Sequence, residues 1–208
     1  MNLAASTLDP EAMYKLLTGI VVPRPIAWVT TLSAGGSVNL APFSAFTFVS
    51  NQPPMLGINV GRKAGMMKDT GNNIHATGEF VVNIPDDTMI EPVHLSAVEH
   101  PPEVSEAELL GLAVAPSANI RTPRLAQAPI SMECRLHRAI AFGDTGSEFM
   151  VGEVLAFHIR DGLCVNGKID AAKLRPICRI GGPNYAKLGE IIALKPIAQT
   201  AKSVLAQD

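Results

Sequence analysis

Charged side chains are scarce in this chain of 208 residues: Asp, Glu, Lys and Arg together make up 17% of it, below the roughly 25% of an ordinary soluble domain. The balance is also close to neutral, with 17 Lys plus Arg against 19 Asp plus Glu. That excludes a nucleic-acid binder relying on a broad basic field, because phosphate contact needs clustered cations. With few charges to cover the outside, some apolar surface is expected to be hidden against a partner, most simply a second copy of the chain. Disorder is excluded by the 47% hydrophobic content.

Cysteine is scarce too. Cys134, Cys164 and Cys178 are an odd number without CxxC spacing, so they read as small buried residues rather than as a disulfide framework, a zinc knuckle or a nucleophile. No Asp, Glu, Lys, Arg or His occurs from Pro25 to Gly61. A membrane span is nevertheless excluded, because Gly35-Gly36, Asn39, Pro42 and Asn51-Gln52-Pro53-Pro54 cut the run into pieces shorter than the ~20 apolar residues required. The amino end has no basic stretch followed by an apolar core, so no signal peptide is visible; a soluble, cytoplasmic protein is expected. Rossmann and P-loop glycine patterns are missing. So are a GxSxG elbow and any metal-ligand spacing among the five histidines, and no metal site is expected.

What is present reads as one α+β domain over 1–208, mainly β. Asp9-Pro10-Glu11 looks like a helix start and Gly19 like its stop. Strands are expected at Pro25–Leu32, at Val38–Ser50 with an edge or bulge at Pro42, and at Met55–Val60, forming an antiparallel meander. A short helix over Lys68–Ala76, capped by Asp69 or Thr70, precedes a strand at Glu79–Ile84. Residues 86–110 read as a helical excursion broken by prolines, with a Ser105-x-x-Glu108 capping box. Two further strands, Ile130–Phe142 and Phe149–Arg160, flank the loop at 143–147. About six strands and several short helices result.

Two constellations could carry chemistry. Arg62, Lys63 and Lys68 fall within seven residues of a sparsely charged chain, and a helix start with Asp69 and Thr70 follows at once. Free amides at a helix start, cations and a hydroxyl together suit a phosphate monoester; a solvated basic loop before an ordinary cap would read the same way. Trp28-Val29-Thr30-Thr31 and Ser44-Ala45-Phe46-Thr47 would, on neighbouring strands, form an uncharged wall of rings and hydroxyls suited to a flat heteroaromatic ligand. Phe43, Phe46 and Phe48 could equally be core.

Several blocks in order then resemble a known family: Arg24 to Thr31, Asn39-Leu40-Ala41-Pro42-Phe43-Ser44, Pro53-Pro54, Lys68-Asp69-Thr70 with Asn73-Ile74, and Glu79 to Asn83. Glu133-Cys134, Val151 to Val154 and Arg179-Ile180-Gly181-Gly182 with Tyr185 continue the likeness. Over roughly residues 20 to 195 the chain resembles the flavin reductase-like family, and Arg24-Pro25-Ile26-Ala27 resembles its flavoredoxin subgroup. The resemblance implies an antiparallel split β-barrel with short peripheral helices, a homodimer, and FMN near the subunit interface. It implies that Trp28–Thr31 and Ser44–Thr47 surround the ring and ribityl chain. Arg62, Lys63, Lys68 and Thr70 would hold the phosphate, Asp69 would orient that loop, and Arg179 and Tyr185 would complete the site. The implied activity is that of an NAD(P)H:flavin reductase, or of an electron carrier that retains FMN and serves a redox partner protein. No residue is implied as an acid or base, because the cofactor carries the chemistry.

Overall fold

The computed structural model describes residues 1–195. Helix α1, Pro10–Ile20, begins where Asp9 accepts a hydrogen bond from the Ala12 amide at 2.8 Å with proline in the first turn. It runs past Gly19, so the expected stop at that glycine is one residue early.

Seven antiparallel strands make the main sheet: β1 (Ala27–Leu32), β2 (Val38–Phe43), β3 (Phe46–Asn51), β4 (Pro54–Val60), β5 (Glu79–Ile84), β6 (Ile130–Phe142) and β7 (Ser147–Ile159), in the spatial order β2-β1-β5-β6-β7-β4-β3. The stretch expected as one strand over Val38–Ser50 is therefore two, and they do not pair. β2 forms one edge of the sheet and β3 the other, although only Ser44 and Ala45 separate them in the chain. So short a link between opposite edges requires the sheet to curl until those edges approach. Pro42 sits opposite Trp28 on the edge strand β2, where its missing N–H breaks no ladder.

Alternate residues of β1 enter different cores. Ala27 and Val29 pack with Phe80, Ile58 and Met150 inside the curl, whereas Trp28 packs with Leu40, Val93 and Leu125 under the helical excursion. Both faces of β1 are covered, so Ala27 to Thr31 are buried without alternation and the strand carries no charge. The excursion contains α3 (Ile90–Leu95) and α4 (Glu106–Leu109), whose start is capped by Ser105. Edge strand β2 is closed by the same segment: Glu106 accepts from the Leu40 amide at 2.9 Å, and Ser105 donates to the Val38 carbonyl at 2.7 Å.

Helix α2 spans Asp69–Thr77 and α5 spans Ala171–Leu174. A small sheet joins Arg24–Pro25, Ile177–Arg179 and Tyr185–Lys187. Among the described residues no helix is long and apolar enough to cross a membrane. Cys134 is buried, and that burial raises its thiol pKa, whereas Cys164 is exposed, against expectation.

Candidate functional site

Two adjoining clefts open beside the edge strand β2. The first, about 370 Å³, lies between Asn39, Ala41 and Pro42 of that strand, a hairpin at 62–67, the start of α2 and the loop at 96–100. The hairpin pairs Arg62–Lys63 with Met66–Met67 through Ala64 and Gly65 at φ +48° and +78°. Glycine adopts that conformation freely; for Ala64 it costs roughly 1–2 kcal/mol, so the turn is held by its surroundings.

Lys68 is the residue before α2, and no side chain caps that helix start, so the cap expected from Asp69 or Thr70 is not made. The Thr70 hydroxyl turns inward instead. Asn39 Nδ2 donates to it at 3.0 Å and to Thr31 Oγ1 at 3.2 Å, while Asn73 Nδ2 donates to the same Thr31 oxygen at 3.0 Å. This buried polar knot pins the amide-bearing end of α2 to the sheet. The opposite wall is pinned by Trp28, whose indole N–H donates to Ser96 Oγ at 2.8 Å.

Charges in this cleft are mixed. Lys63 pairs with Glu99 at 2.7 Å. Lys68 has no carboxylate partner among the described residues and lies 5.9 Å from the centre of the Phe43 ring. Burial raises the Asp69 carboxyl pKa, and Glu99 adds to the rise. Burial also raises that of Glu106, against the lowering effect of the Leu40 hydrogen bond.

The second cleft, about 350 Å³, shares Pro42 and Ala97 with the first and is lined by Arg24, Ser44, Arg179 and Tyr185, with Tyr14 and the edge of the largely buried Phe43 among its aromatic residues. Arg179 stacks on the Tyr185 ring at 4.5 Å and donates to its hydroxyl. Burial raises the phenol's pKa while Arg179 opposes the rise.

Of the residues singled out in the sequence, Lys63, Lys68, Asp69 and Thr70 meet in the first cleft, and Ser44, Arg179 and Tyr185 in the second. Trp28, Val29, Thr30 and Thr31 are 0% exposed; they support the walls from behind and present no surface to a ligand in this chain. Ala45, in the link before β3, and Phe46 and Thr47, on β3, lie outside both clefts. Arg62 turns away, donating to the Gly146 carbonyl at 2.7 Å and lying 3.7 Å from Glu148. Asn39, the loop at 96–100 and Glu106 were missed as lining residues. Asn39 opens a block that carried the family resemblance, and that was its only signal; the loop comes close only through the tertiary fold.

Residues 19–170 match the family model of the flavin reductase like domain. The chain belongs to the flavin reductase-like family. An uncharacterised protein of Halalkalibacterium halodurans is 42% identical over 199 residues, covering 93% of this chain and 95% of that one. Among solved structures, nitrilotriacetate monooxygenase component B from Bacillus cereus superposes with a TM-score of 0.91 at 40% identity, over 93% of this chain and 98% of that one. The 2-nitrobenzoate 2-nitroreductase of Pseudomonas fluorescens gives 0.83 at 36%, over 97% and 98%. Flavoredoxin of Desulfovibrio vulgaris gives 0.75 at 19% identity, over 93% of this chain and 97% of that one, a likeness of fold.

Proposed function

We propose that this flavin reductase-like protein is an FMN-dependent oxidoreductase of the NAD(P)H:flavin reductase type. Its curled sheet is a split barrel, and it works as a homodimer in the cytoplasm. The carrying observation is convergence. The uncapped start of α2 and Lys68, which has no carboxylate partner among the described residues, share one cleft with the edge strand β2.

These residues fit the group. A helix start without a side-chain cap retains amides for phosphate oxygens, and Lys68 adds a charge-assisted bond. Thr31, Asn39 and Asn73 hold the helix in position. Ala41 and Pro42 offer an apolar surface towards the ring system. Of the cleft's carboxylates, Glu99 engages Lys63 and Glu106 engages the Leu40 amide, while Asp69 stands in the first turn of α2 beside Lys68. When bound, FMN supplies the redox chemistry, taking a hydride from NAD(P)H and passing electrons onward.

Two relatives above 30% identity bear on the acceptor. One is a monooxygenase component, which favours delivery of reducing equivalents to a partner protein; the other is named for reducing a nitroaromatic acid. The test is to follow NADH and NADPH oxidation by purified protein with added FMN. Nucleotide-dependent flavin reduction is expected. A second reading, an electron carrier that keeps FMN bound, rests on the Arg24-Pro25-Ile26-Ala27 resemblance to flavoredoxins. FMN retained through gel filtration, and reduced only by a protein donor, would replace the first reading with the second.

A further inference from the structure

Arg24 and Arg179 stand directly opposite each other in the small sheet. Like charges at directly paired positions are destabilising, and among the described residues neither guanidinium has a carboxylate within ion-pair distance. Among the described residues no Asp or Glu lines the second cleft either, in contrast to the first. Arg24 is largely consumed by the protein. It donates to the Thr18, Val21 and Ile180 carbonyls and to Ser44 Oγ, so it is a fixed positive charge at the carboxyl end of α1. Arg179 is different. Its Nε donates to the Gly182 carbonyl at 2.9 Å and its Nη1 to the Tyr185 hydroxyl, which locks the plane of the fork. Nη2 has no protein acceptor among the described residues. Ser44, which accepts from Arg24, keeps its own hydroxyl proton to donate.

We propose that the second cleft binds the carboxylate of a small aromatic acid, with Arg179 Nη2 and the Ser44 hydroxyl as donors and Phe43, Tyr14 and Tyr185 framing the ring. The anion follows from two adjacent guanidiniums without a counter-charge, one of them held in a rigid orientation with donors to spare. The ring follows from the aromatic and proline surfaces. The size follows from the volume: about 350 Å³ lies at the lower end of small-molecule sites, enough for a one-ring acid and too little for a whole dinucleotide. Because Pro42 and Ala97 belong to both clefts, a ligand here lies next to one held in the first. The anion assignment stands on this cleft alone; only its pairing with a flavin rests on the proposed function.

Isothermal titration with sodium benzoate, in parallel with neutral benzamide and with inorganic phosphate, tests it. Wild-type protein is expected to bind benzoate at least tenfold more tightly than benzamide. Arg179→Gln should abolish most of that preference while leaving the benzamide affinity in place, and Arg179→Lys should restore part of it. Equal affinity for the two ring compounds, an unchanged preference in Arg179→Gln, or a preference for phosphate over benzoate would each overturn the assignment. Should Arg179→Gln fail to fold, Ser44→Ala carries the same comparison, with a several-fold loss for benzoate alone. Repeating the titration with and without FMN separates the two readings. A benzoate preference in protein that does not bind FMN would sink the flavin reading and leave this one standing, and FMN binding without the preference would do the reverse.

Discussion

The Lys63 ammonium lies 2.7 Å from the Glu99 carboxylate, tying the hairpin at 62–67 to the loop at 96–100 across the first cleft. Both side chains are more than half exposed, at 68% and 55%, and such pairs contribute only about 0–1 kcal/mol. Glu99 therefore acts chiefly as a negative charge beside the anion site. Glu99→Gln should leave stability almost unchanged and tighten FMN binding by up to about 1 kcal/mol, read by fluorescence titration. Weaker binding in the variant would show that the bridge itself holds the cleft in shape.

Trp28 supplies an independent check on what lines the site. It is fully buried, and its N–H holds Ser96. Trp28→Phe should lower unfolding stability by about 1–3 kcal/mol, through lost volume and a lost buried hydrogen bond. FMN affinity should fall only modestly, because the loop loosens. Urea denaturation and a flavin titration on the same variant decide it: unchanged stability with lost flavin binding would restore Trp28 to direct contact.

The sequence carried part of this architecture and concealed part of it, for physical reasons that differ by residue. Asp9-Pro10 and Ser105 announced their helices because capping is local chemistry. The separation of β2 from β3 was hidden, since Ser44-Ala45 has no glycine, proline or asparagine to mark a break; it arises because the two strands lie at opposite edges of the curled sheet. Arg62 and Lys68 looked alike as cations six positions apart. Only the tertiary fold gives Arg62 a carbonyl partner at Gly146, where φ is +68°, and leaves Lys68 facing the cleft. Trp28 to Thr31 read as a ligand wall because their lack of charge is equally the signature of a strand buried on both faces.

Gly152 is a position where a close approach dictates the residue. A Cβ there would lie 2.4 Å from the Phe80 ring and 3.1 Å from Cys134 Cβ, both fully buried. Gly152→Ala should therefore destabilise the protein by roughly 1–3 kcal/mol, the range for overpacking, measured by chemical denaturation. A neutral result would mean that the Phe80 ring can shift away from Gly152 without penalty.

Acid stability should reflect Glu133. Burial alone would raise this carboxyl's pKa, but bonds from the Ala118 and Asn119 amides, the Asn119 side chain and His158 outweigh it and hold the pKa below its ordinary value of 4.5. A depressed carboxyl contributes stability that is present above the unfolded value and lost as pH falls through the folded one. Wild type should thus lose stability more steeply than Glu133→Gln below about pH 4.5. Parallel curves for the two proteins across that window would show that Glu133 carries no such coupling.

The most direct measurement compares FMN with riboflavin, which lacks the phosphate, in wild type and Lys68→Ala. If the start of α2 and Lys68 grip the phosphate end of a flavin mononucleotide, the substitution weakens FMN by about 1.5–3 kcal/mol, the range for a hydrogen bond to a charged group, and leaves riboflavin binding as it was. Equal losses for both flavins, or none for either, would contradict that grip.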